Sequence, residues 1–193
     1  MSSIGSKFSA MAKAKYVPNL LQLFRQYGYD GATLSKISEA TGLGKASLYH
    51  HFPGGKDEMV EAVLDYLEEA TERQIMQALR SEGDAQTRLR NMCNAISELF
   101  EGGKQPCVFA VLLMGSSRDV FHDKVEVLLR SWIDAIAEVL MAEGLDKTLA
   151  VERGEDAVIA IEGALILSQG LNDCSSFERV ISRLPQELCQ DLV

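Results

Sequence analysis

Apolar side chains recur at intervals of three and four positions along almost the whole chain, and this spacing constrains the fold more than any other feature. It is the period of an amphipathic α-helix, and no segment shows the strict alternation of a half-buried β-strand. With 193 residues, 47% of them hydrophobic and 24% charged, the chain is long enough to bury a core without disulfides or metal ions. The sequence therefore predicts an all-α protein.

Start and stop signals place three short helices near the amino terminus. Gly28 is expected to end the first, Thr33 to cap the second and Gly42 to break it, and the third runs from about Lys45 to His51. Pro18 lies within the pattern of the first helix, where it predicts either a kink or a late helix start.

Six further helices are expected beyond this region. These are a long helix from Lys56 or Asp57 to about Arg80, a helix over 87–100, a short apolar helix in CVFAVLLMG, and helices over 120–142, 147–171 and 177–192.

The net charge of −9 argues at first sight against a nucleic-acid partner, but its distribution reverses that inference. Residues 1–56 contain seven Lys and Arg against two acidic residues, so this segment carries +5 and the remainder −14. A basic segment on an acidic body is typical of a binding head.

A helix, a glycine turn and a second short helix describe a helix-turn-helix. Leu48 and Phe52 are four positions apart and are expected to face the core, which turns the other side of the helix toward a DNA major groove. Thr33 and Lys56, at the starts of neighbouring helices, are expected to bind phosphates. The expected groove-facing residues are Lys45, Ala46, Ser47, Tyr49 and His50.

Other chemistries for this stretch are weaker. His50 and His51 are adjacent and diverge by about 100° on a helix, so they do not share a metal ion. The PGGK segment lacks the spacing of a P-loop, since Lys56 is followed by Asp57. Tyr49 has the alternative of packing against the long helix. We expect no metal, no cofactor and no enzyme activity, because the three histidines and scattered carboxylates form no catalytic pattern.

The segment AVIAIEGALIL, residues 157–167, is apolar on all sides apart from Glu162. A helix of this kind must be covered all round, so the sequence predicts a homodimer, with a fully internal helix as the alternative. The expected interface residues are Ala157, Ala160, Ile161, Ala164, Leu165, Ser168, Val180 and Leu184.

Residues 24–63, FRQYGYDGATLSKISEATGLGKASLYHHFPGGKDEMVEAV, resemble the DNA-binding head of TetR-type transcriptional repressors. The residues that carry the resemblance, in the family's order and spacing, are Gly28, Ile37, Gly42, Leu48, Tyr49, Phe52 and Lys56. The resemblance implies about nine helices, a DNA-binding domain over 1–56, and an effector-binding and dimerisation domain over 57–193. It also implies a homodimer that binds a palindromic operator through double-stranded DNA contacts and releases it when a small molecule binds. Gly44 departs from the family pattern and predicts a weaker cap on the third helix.

The effector site is expected among apolar and aromatic residues of the larger domain, although such a stripe is also typical of an ordinary core. A mostly apolar effector would suit it. The candidate residues are Met92, Ile96, Phe100, Phe109, Leu113, Met114 and Trp132.

Two alternatives to an effector-released repressor remain open. Cys93 and Cys107 are candidates for a redox-sensing pair, although the spacing of the four cysteines is that of neither a CxxC pair nor a zinc site. A helical interaction protein that does not bind DNA is the other alternative. With neither a membrane span nor a signal peptide in the sequence, a cytoplasmic location is expected.

Overall fold

A computed structural model describes residues 13–190, and within this range all regular structure is helical. Nine α-helices are present in the described range, which confirms the expected all-α fold. Their bounds are α1 Val17–Gly31, α2 Leu34–Thr41, α3 Lys45–His51, α4 Gly55–Thr71 with its continuation to Leu79, α5 Ala85–Leu99, α6 Val108–Leu112, α7 Arg118–Ala142, α8 Lys147–Leu171 and α9 Ser175–Leu188.

Helix α1 begins at Val17, directly after a turn at Lys15 and Tyr16 that follows the helical residues Lys13 and Ala14. Pro18 occupies the first turn of α1, where a missing backbone N–H costs no helical hydrogen bond. Gly28 was expected to end this helix, but it only interrupts it, with φ +64° and ψ −176°, and helical structure continues to Gly31. Helix α1 thus starts only at Val17, but helical residues precede the turn before it, so the break ahead of Pro18 has features of both outcomes expected for this residue.

The long helix α4 contains a feature that periodicity did not predict. After Thr71 the chain forms a π-helical stretch over Glu72–Met76 and returns to α-helix at Gln77–Leu79. The side chains of Ile75 and Met76 within this stretch are buried. Insertions of this type are often found at functional positions of helices.

The chain divides into two compact units. The first comprises the described residues up to Glu69 together with Val108–His122, and the second comprises Ala70–Cys107 and Asp123 to residue 190. In the first unit α1 packs against α2, α6 and the 3₁₀ turn Gly115–Ser117. This unit includes residues on both sides of the domain boundary expected after residue 56. The expected division into a DNA-binding domain and an effector-binding domain concerns function, and it stays a prediction.

In the second unit α9 packs against both α5 and α8, and glycines allow two close approaches. A Cβ atom on Gly103, whose φ is +94°, would lie 2.9 Å from the Cβ and Cγ atoms of Phe177. A Cβ atom on Gly154 of α8 would lie 2.8 Å from the carbonyl oxygen of Ile133 on α7. Both positions therefore require glycine for packing reasons.

Helix α9 ends at Leu188, four residues before the end expected from periodicity, and residues 191–193 lie outside the described range. Arg153 of α8 supplies a reason, because its Nη1 donates to the carbonyl oxygens of Leu188 at 2.8 Å and Gln190 at 2.6 Å. These bonds satisfy carbonyl groups that a continuing helix would otherwise use. Among the described helices, none is long and apolar enough to cross a bilayer.

Candidate nucleic-acid interface

The turn between α2 and α3 is fixed by one glycine and by side-chain hydrogen bonds. Gly42 ends α2 with φ +69°, a conformation that glycine adopts at little cost. The Thr41 hydroxyl donates to the Ile37 carbonyl at 2.7 Å and accepts from the Leu43 N–H at 3.3 Å. The Ser38 hydroxyl donates to the Leu43 carbonyl. These bonds hold α2 and α3 in the geometry of a helix-turn-helix.

Helix α3 has a buried side and an exposed side. Leu48 is 1% exposed and Phe52, directly after the helix, is fully buried, as their spacing predicted. The opposite side carries an ammonium group, two hydroxyl groups and an imidazole, which are groups that bind phosphates and base edges. The exposed residues of α3 are Lys45, Ala46, Ser47, Tyr49 and His50.

Tyr49 combines the two roles that the sequence left open. Its Cε1 atom lies 3.7 Å from the position of a Cβ atom on Gly55, so the ring lies against the start of α4. The side chain nevertheless remains 43% exposed. The Tyr49 ring thus packs against the start of α4, while a large part of its surface stays exposed beside the other outward-facing residues of α3.

The two adjacent histidines point to different surroundings. The ring of His51 packs 5.2 Å from the ring of Tyr16 and 5.4 Å from that of His50. His50 is exposed, whereas His51 is half-buried. Within residues 13–190 no group of three or more His, Cys, Asp or Glu side chains is arranged to hold a metal ion.

The starts of α2 and α3 differ in their caps. Thr33 precedes α2, and its hydroxyl accepts a hydrogen bond from the Lys36 N–H at 3.4 Å. Gly44 precedes α3 and has no side chain with which to cap it, so the weaker cap predicted there is confirmed. Thr33 is exposed at the position where a phosphate contact was expected.

Lys56 lies at the start of α4 but is engaged within the chain. Its Nζ donates to the carbonyl oxygen of Tyr29 at 2.8 Å and lies 4.1 Å from the centre of the Tyr29 ring. A carbonyl acceptor and an aromatic face both stabilise an ammonium group. Lys56 therefore has an internal partner, and the phosphate contact expected of it stays a prediction, because an ammonium group has two further donors.

A polar cluster that no sequence pattern predicted lies around the end of α1. We call it the α1 junction, and it consists of Tyr29, Asp30, Lys56, Asp57 and Ser116. The Tyr29 hydroxyl donates to the Asp57 carboxylate, and burial together with this bond raises the pKa of Tyr29 to about 12. The Asp30 carboxylate accepts from the Ser116 N–H at 3.2 Å and from the Ser116 hydroxyl. Asp30 and Ser116 are 86 positions apart, so no local pattern could have paired them.

Other basic residues of this region also have partners within the chain. Lys13 forms an ion pair with Glu58, whose other carboxylate oxygen accepts from the Gly54 N–H at 2.7 Å. The Nζ of Lys36 lies 3.5 Å from the centre of the Tyr27 ring. Lys45 differs from these, because it is exposed at the start of α3.

Two family models match the sequence. The model described as bacterial regulatory proteins, tetR family, matches residues 20–63, and the model described as transcriptional regulator LmrA/YxaF-like, C-terminal domain, matches residues 85–183, just over half of the chain. The chain belongs to the TetR family. TetR-family regulators are DNA-binding transcription factors and not enzymes, and the helix-turn-helix described above lies within the first matched segment.

Similar proteins agree with this assignment. The HTH-type transcriptional regulator YxaF of Bacillus subtilis (strain 168) is 24% identical over 178 residues, which cover 90% of this chain and 93% of YxaF. The negative transcriptional regulator IcaR of Staphylococcus aureus (strain Newman) is 41% identical over 58 residues, 28% of this chain and 31% of IcaR. A structure of a cysteine-substituted variant of the TetR-family regulator CifR, which includes a complex with 26-bp operator DNA, shares the fold with a TM-score of 0.74 at 17% identity over 89% of this chain and 94% of CifR.

The expected dimer residues of this TetR-family chain are mostly covered within the single chain. Six of them are buried, namely Ala157, Ile161, Ala164, Leu165, Ser168 and Leu184, while Ala160 and Val180 are half-buried. Other apolar side chains of α8 remain open instead: Ile159 is 67% exposed, Ile166 62% and Leu167 50%. A Cβ atom on Gly163 would meet nothing within 4 Å.

The expected effector residues of the regulator fall in both compact units. Met92, Ile96, Phe100 and Trp132 are buried in the second unit, and the Trp132 Nε1 has no hydrogen-bond acceptor within the described residues. The others belong to the first unit, where Phe109 and Leu113 are half-buried and Met114 is 74% exposed. The binding role of the whole set remains a prediction.

Proposed function

We propose that this TetR-family regulator is a repressor that binds a palindromic operator as a homodimer and is released by a small, mostly apolar effector. The main support for DNA binding is helix α3. Its apolar side is buried, and its exposed side offers a lysine, hydroxyl groups and an imidazole. IcaR, a negative regulator, is 41% identical to this chain over 58 residues, which supports repression. Because the proposed partner is chromosomal DNA, we place the protein in the cytoplasm.

Within the proposed interface, exposed residues of α3 have different roles. Lys45 contacts a phosphate or a guanine edge, and Tyr49 and His50 contact phosphates or a thymine methyl group. Ala46 and Ser47 are small enough to let the helix approach the bases closely. Thr33 contributes a phosphate contact from the start of α2.

A palindromic operator requires two copies of α3 separated by about 34–36 Å or a multiple of this distance. The open apolar residues of α8 support self-association, because Ile159, Gly163, Ile166 and Gly170 follow one another at intervals of four, three and four on one side of the helix. This stripe lies opposite the residues of α8 that the chain itself buries. We therefore place the contact between two copies on the stripe, with Ala160 and Val180 at its edge.

The dimer contact can be tested by a charge placed in the stripe. Ile166→Asp introduces an unpaired carboxylate where two apolar surfaces would meet, so we expect a monomer in analytical ultracentrifugation. Val127→Asp is the matched control, because Val127 of α7 is 63% exposed and lies outside the stripe. A dimeric Ile166→Asp variant would contradict the placement of the contact.

The proposed effector is an apolar or aromatic small molecule. The buried Met92, Ile96, Phe100 and Trp132 support this class, since binding sites for such molecules are mostly apolar with few polar groups. To convert a largely bound population into a largely released one, the effector must favour the released form by about 10⁴-fold.

A redox switch is less well supported than an effector. Burial raises the pKa of Cys93 to about 12, which leaves almost no reactive thiolate at neutral pH. Cys107 is also buried. If Cys93→Ser and Cys107→Ser variants lose DNA release by hydrogen peroxide while wild type shows it, the redox alternative is correct.

The decisive experiment is selection of bound duplexes from random DNA with the purified full-length protein. An inverted repeat among the recovered duplexes is the expected result. Retention should weaken steeply with salt if phosphate contacts contribute to affinity. Failure to retain any duplex at low ionic strength would favour a helical interaction protein that does not bind DNA.

A further inference from the structure

The segment Val108–His122 belongs to the same compact unit as the helix-turn-helix, although more than fifty residues separate the two in sequence. Two apolar contacts place it on α1. The ring of Phe121 lies 6.0 Å from the ring of Tyr29, and Val111 Cγ1 lies 3.4 Å from the position of a Cβ atom on Gly28. The DNA-binding head is therefore in contact with the beginning of α7.

A polar connection between Asp30 and Ser116 joins this segment to the helix-turn-helix region. The Asp30 carboxylate uses both oxygens, accepting from the Ser116 N–H at 3.2 Å through Oδ2 and from the Ser116 hydroxyl through Oδ1. Ser116 lies in the 3₁₀ turn that precedes Arg118, the first residue of α7. A carboxylate is favoured at such a helix start because the free N–H groups there carry partial positive charge.

The turn that carries Ser116 lies close to the Asp30 carboxylate. A Cβ atom on Gly115 would lie 2.6 Å from Asp30 Oδ2, and Gly115 has φ +75°. The neighbouring Ser117 hydroxyl donates to the Leu112 carbonyl at 2.7 Å, which fixes the turn from its other side. Asp30 and Ser116 are both exposed, so a displacement of the turn can break their two bonds at small cost.

Helix α7 continues without interruption from Arg118 to Ala142, and its first five residues belong to the first unit while the rest belong to the second. The same end of α1 also holds the start of α4 through Tyr29, since Lys56 and Asp57 both bond to that residue. Residues 29 and 30 thus connect the beginnings of two long helices to the head.

We propose that the two hydrogen bonds from Ser116 to Asp30 form a latch that holds the helix-turn-helix in its DNA-binding arrangement and that is opened when the start of α7 is displaced. This inference rests on the proposed function and adds a position through which release is transmitted. Asp30 and Ser116 are positioning residues in it, because neither is required to touch DNA.

For the DNA affinity of an Asp30 variant, the latch predicts a change opposite in sign to the change expected from net charge alone. Removing an acidic residue from a basic head should strengthen DNA binding if only charge matters. Asp30→Ala also removes the latch, and we expect it to weaken binding of the recovered operator by about fivefold or more, the low end of coupling between sites. Ser116→Ala should weaken it by a similar factor, and the double variant by no more than the larger single effect.

The matched control is Ser175→Ala. Ser175 donates its N–H and its hydroxyl to Asp173, both at 2.9 Å, so it reproduces the bonding pattern of the latch over two residues instead of 86. We expect operator affinity to be unchanged in this variant. The salt dependence of the latch variants should also match wild type, because no phosphate contact is lost.

The experiment uses the full-length protein and measures operator affinity over a series of salt concentrations, together with amide hydrogen exchange of Ser116. Faster exchange at Ser116 in Asp30→Ala, with weaker binding, supports the latch. Wild-type affinity in both single variants, or tighter binding by Asp30→Ala, overturns it. Failure of the wild-type protein to bind any duplex instead overturns the proposed function, and with it this inference.

Discussion

The two compact units of this regulator are stabilised by different kinds of contact. In the first unit, side-chain hydrogen bonds and ion pairs join distant parts of the sequence, as Lys13 does with Glu58 and Ser116 with Asp30. In the second unit, close approaches depend on glycines with no room for a side chain, as at Gly103 and Gly154. Polar contacts near the surface can be broken and remade at small cost, whereas close packing resists displacement. The polar contacts of the first unit are thus easier to exchange than the glycine-dependent packing of the second unit.

The largest effect is expected at Gly103. Gly103→Ala adds a Cβ atom 2.9 Å from Phe177 at φ +94°, and overpacking with backbone strain should lower the free energy of unfolding by about 2–5 kcal/mol. Gly102→Ala is the control, since Gly102 has φ +67° but open space around it, and it should cost only about 1 kcal/mol. Urea denaturation of both variants measures the difference. Equal losses would show that packing at Gly103 does not matter.

Lys56 and Lys45 allow a lysine that bonds within the protein to be compared with a lysine expected to contact DNA directly. Lys56→Ala should weaken operator binding without changing its salt dependence, because the Lys56 ammonium bonds to Tyr29 within the head. Lys45→Ala should reduce the slope of log affinity against log salt by about one. Titrations at several salt concentrations separate the two. A reduced slope for Lys56→Ala would return this lysine to the phosphate contact expected from sequence.

A smaller loss of stability is expected for Tyr29→Phe, which removes the hydrogen bond to Asp57 and should cost about 1 kcal/mol. Burial and Asp57 raise the pKa of the Tyr29 phenol to about 12, so the protonated form is favoured in the folded state. Its contribution is complete below the ordinary tyrosine pKa of about 10 and is lost as pH rises toward 12. Ultraviolet titration should show one late-titrating tyrosine that is missing in Tyr29→Phe. Unchanged titration in that variant would assign the late phenol to another residue.

The smallest effect concerns the Asp30 carboxyl group. The hydrogen bonds from Ser116 lower the pKa of Asp30 below its usual range, so Ser116→Ala should raise it. The stabilisation is present above the unfolded-state pKa and is lost as pH falls through the lowered folded value, so neutral solutions leave it intact. Carboxyl NMR titration measures the change. If the pKa of Asp30 is the same in both proteins, the latch bonds are not formed in solution.

Local features of the fold were predictable from the sequence because their causes are local. Thr33, Gly42 and Gly44 act on neighbouring backbone groups, and the position of Pro18 limited the start of α1 to two outcomes. The recognition helix and its buried side followed from the spacing of Leu48 and Phe52.

Two kinds of feature could not be predicted from the sequence. The first depends on contacts between residues far apart in the chain, and the second lies on helices that have no polar side to mark the exposed face. The internal partners of Lys56 and Asp30 arise only when α1, α4 and the segment before α7 meet. On α8, apolar residues surround the helix, so periodicity had no polar side with which to distinguish the buried Ile161 from the exposed Ile159. The π-helical stretch Glu72–Met76 likewise keeps an apolar pattern compatible with a plain α-helix.

The absence of space beside Gly115 has a consequence for how this protein can vary among related organisms. A residue with a side chain at 115 would strain the backbone at φ +75° and would push the Asp30 carboxylate away from Ser116. Substitutions at these two positions should therefore occur together, and a lineage that replaces the glycine alone should lose the bonds between Asp30 and Ser116 before it loses its fold.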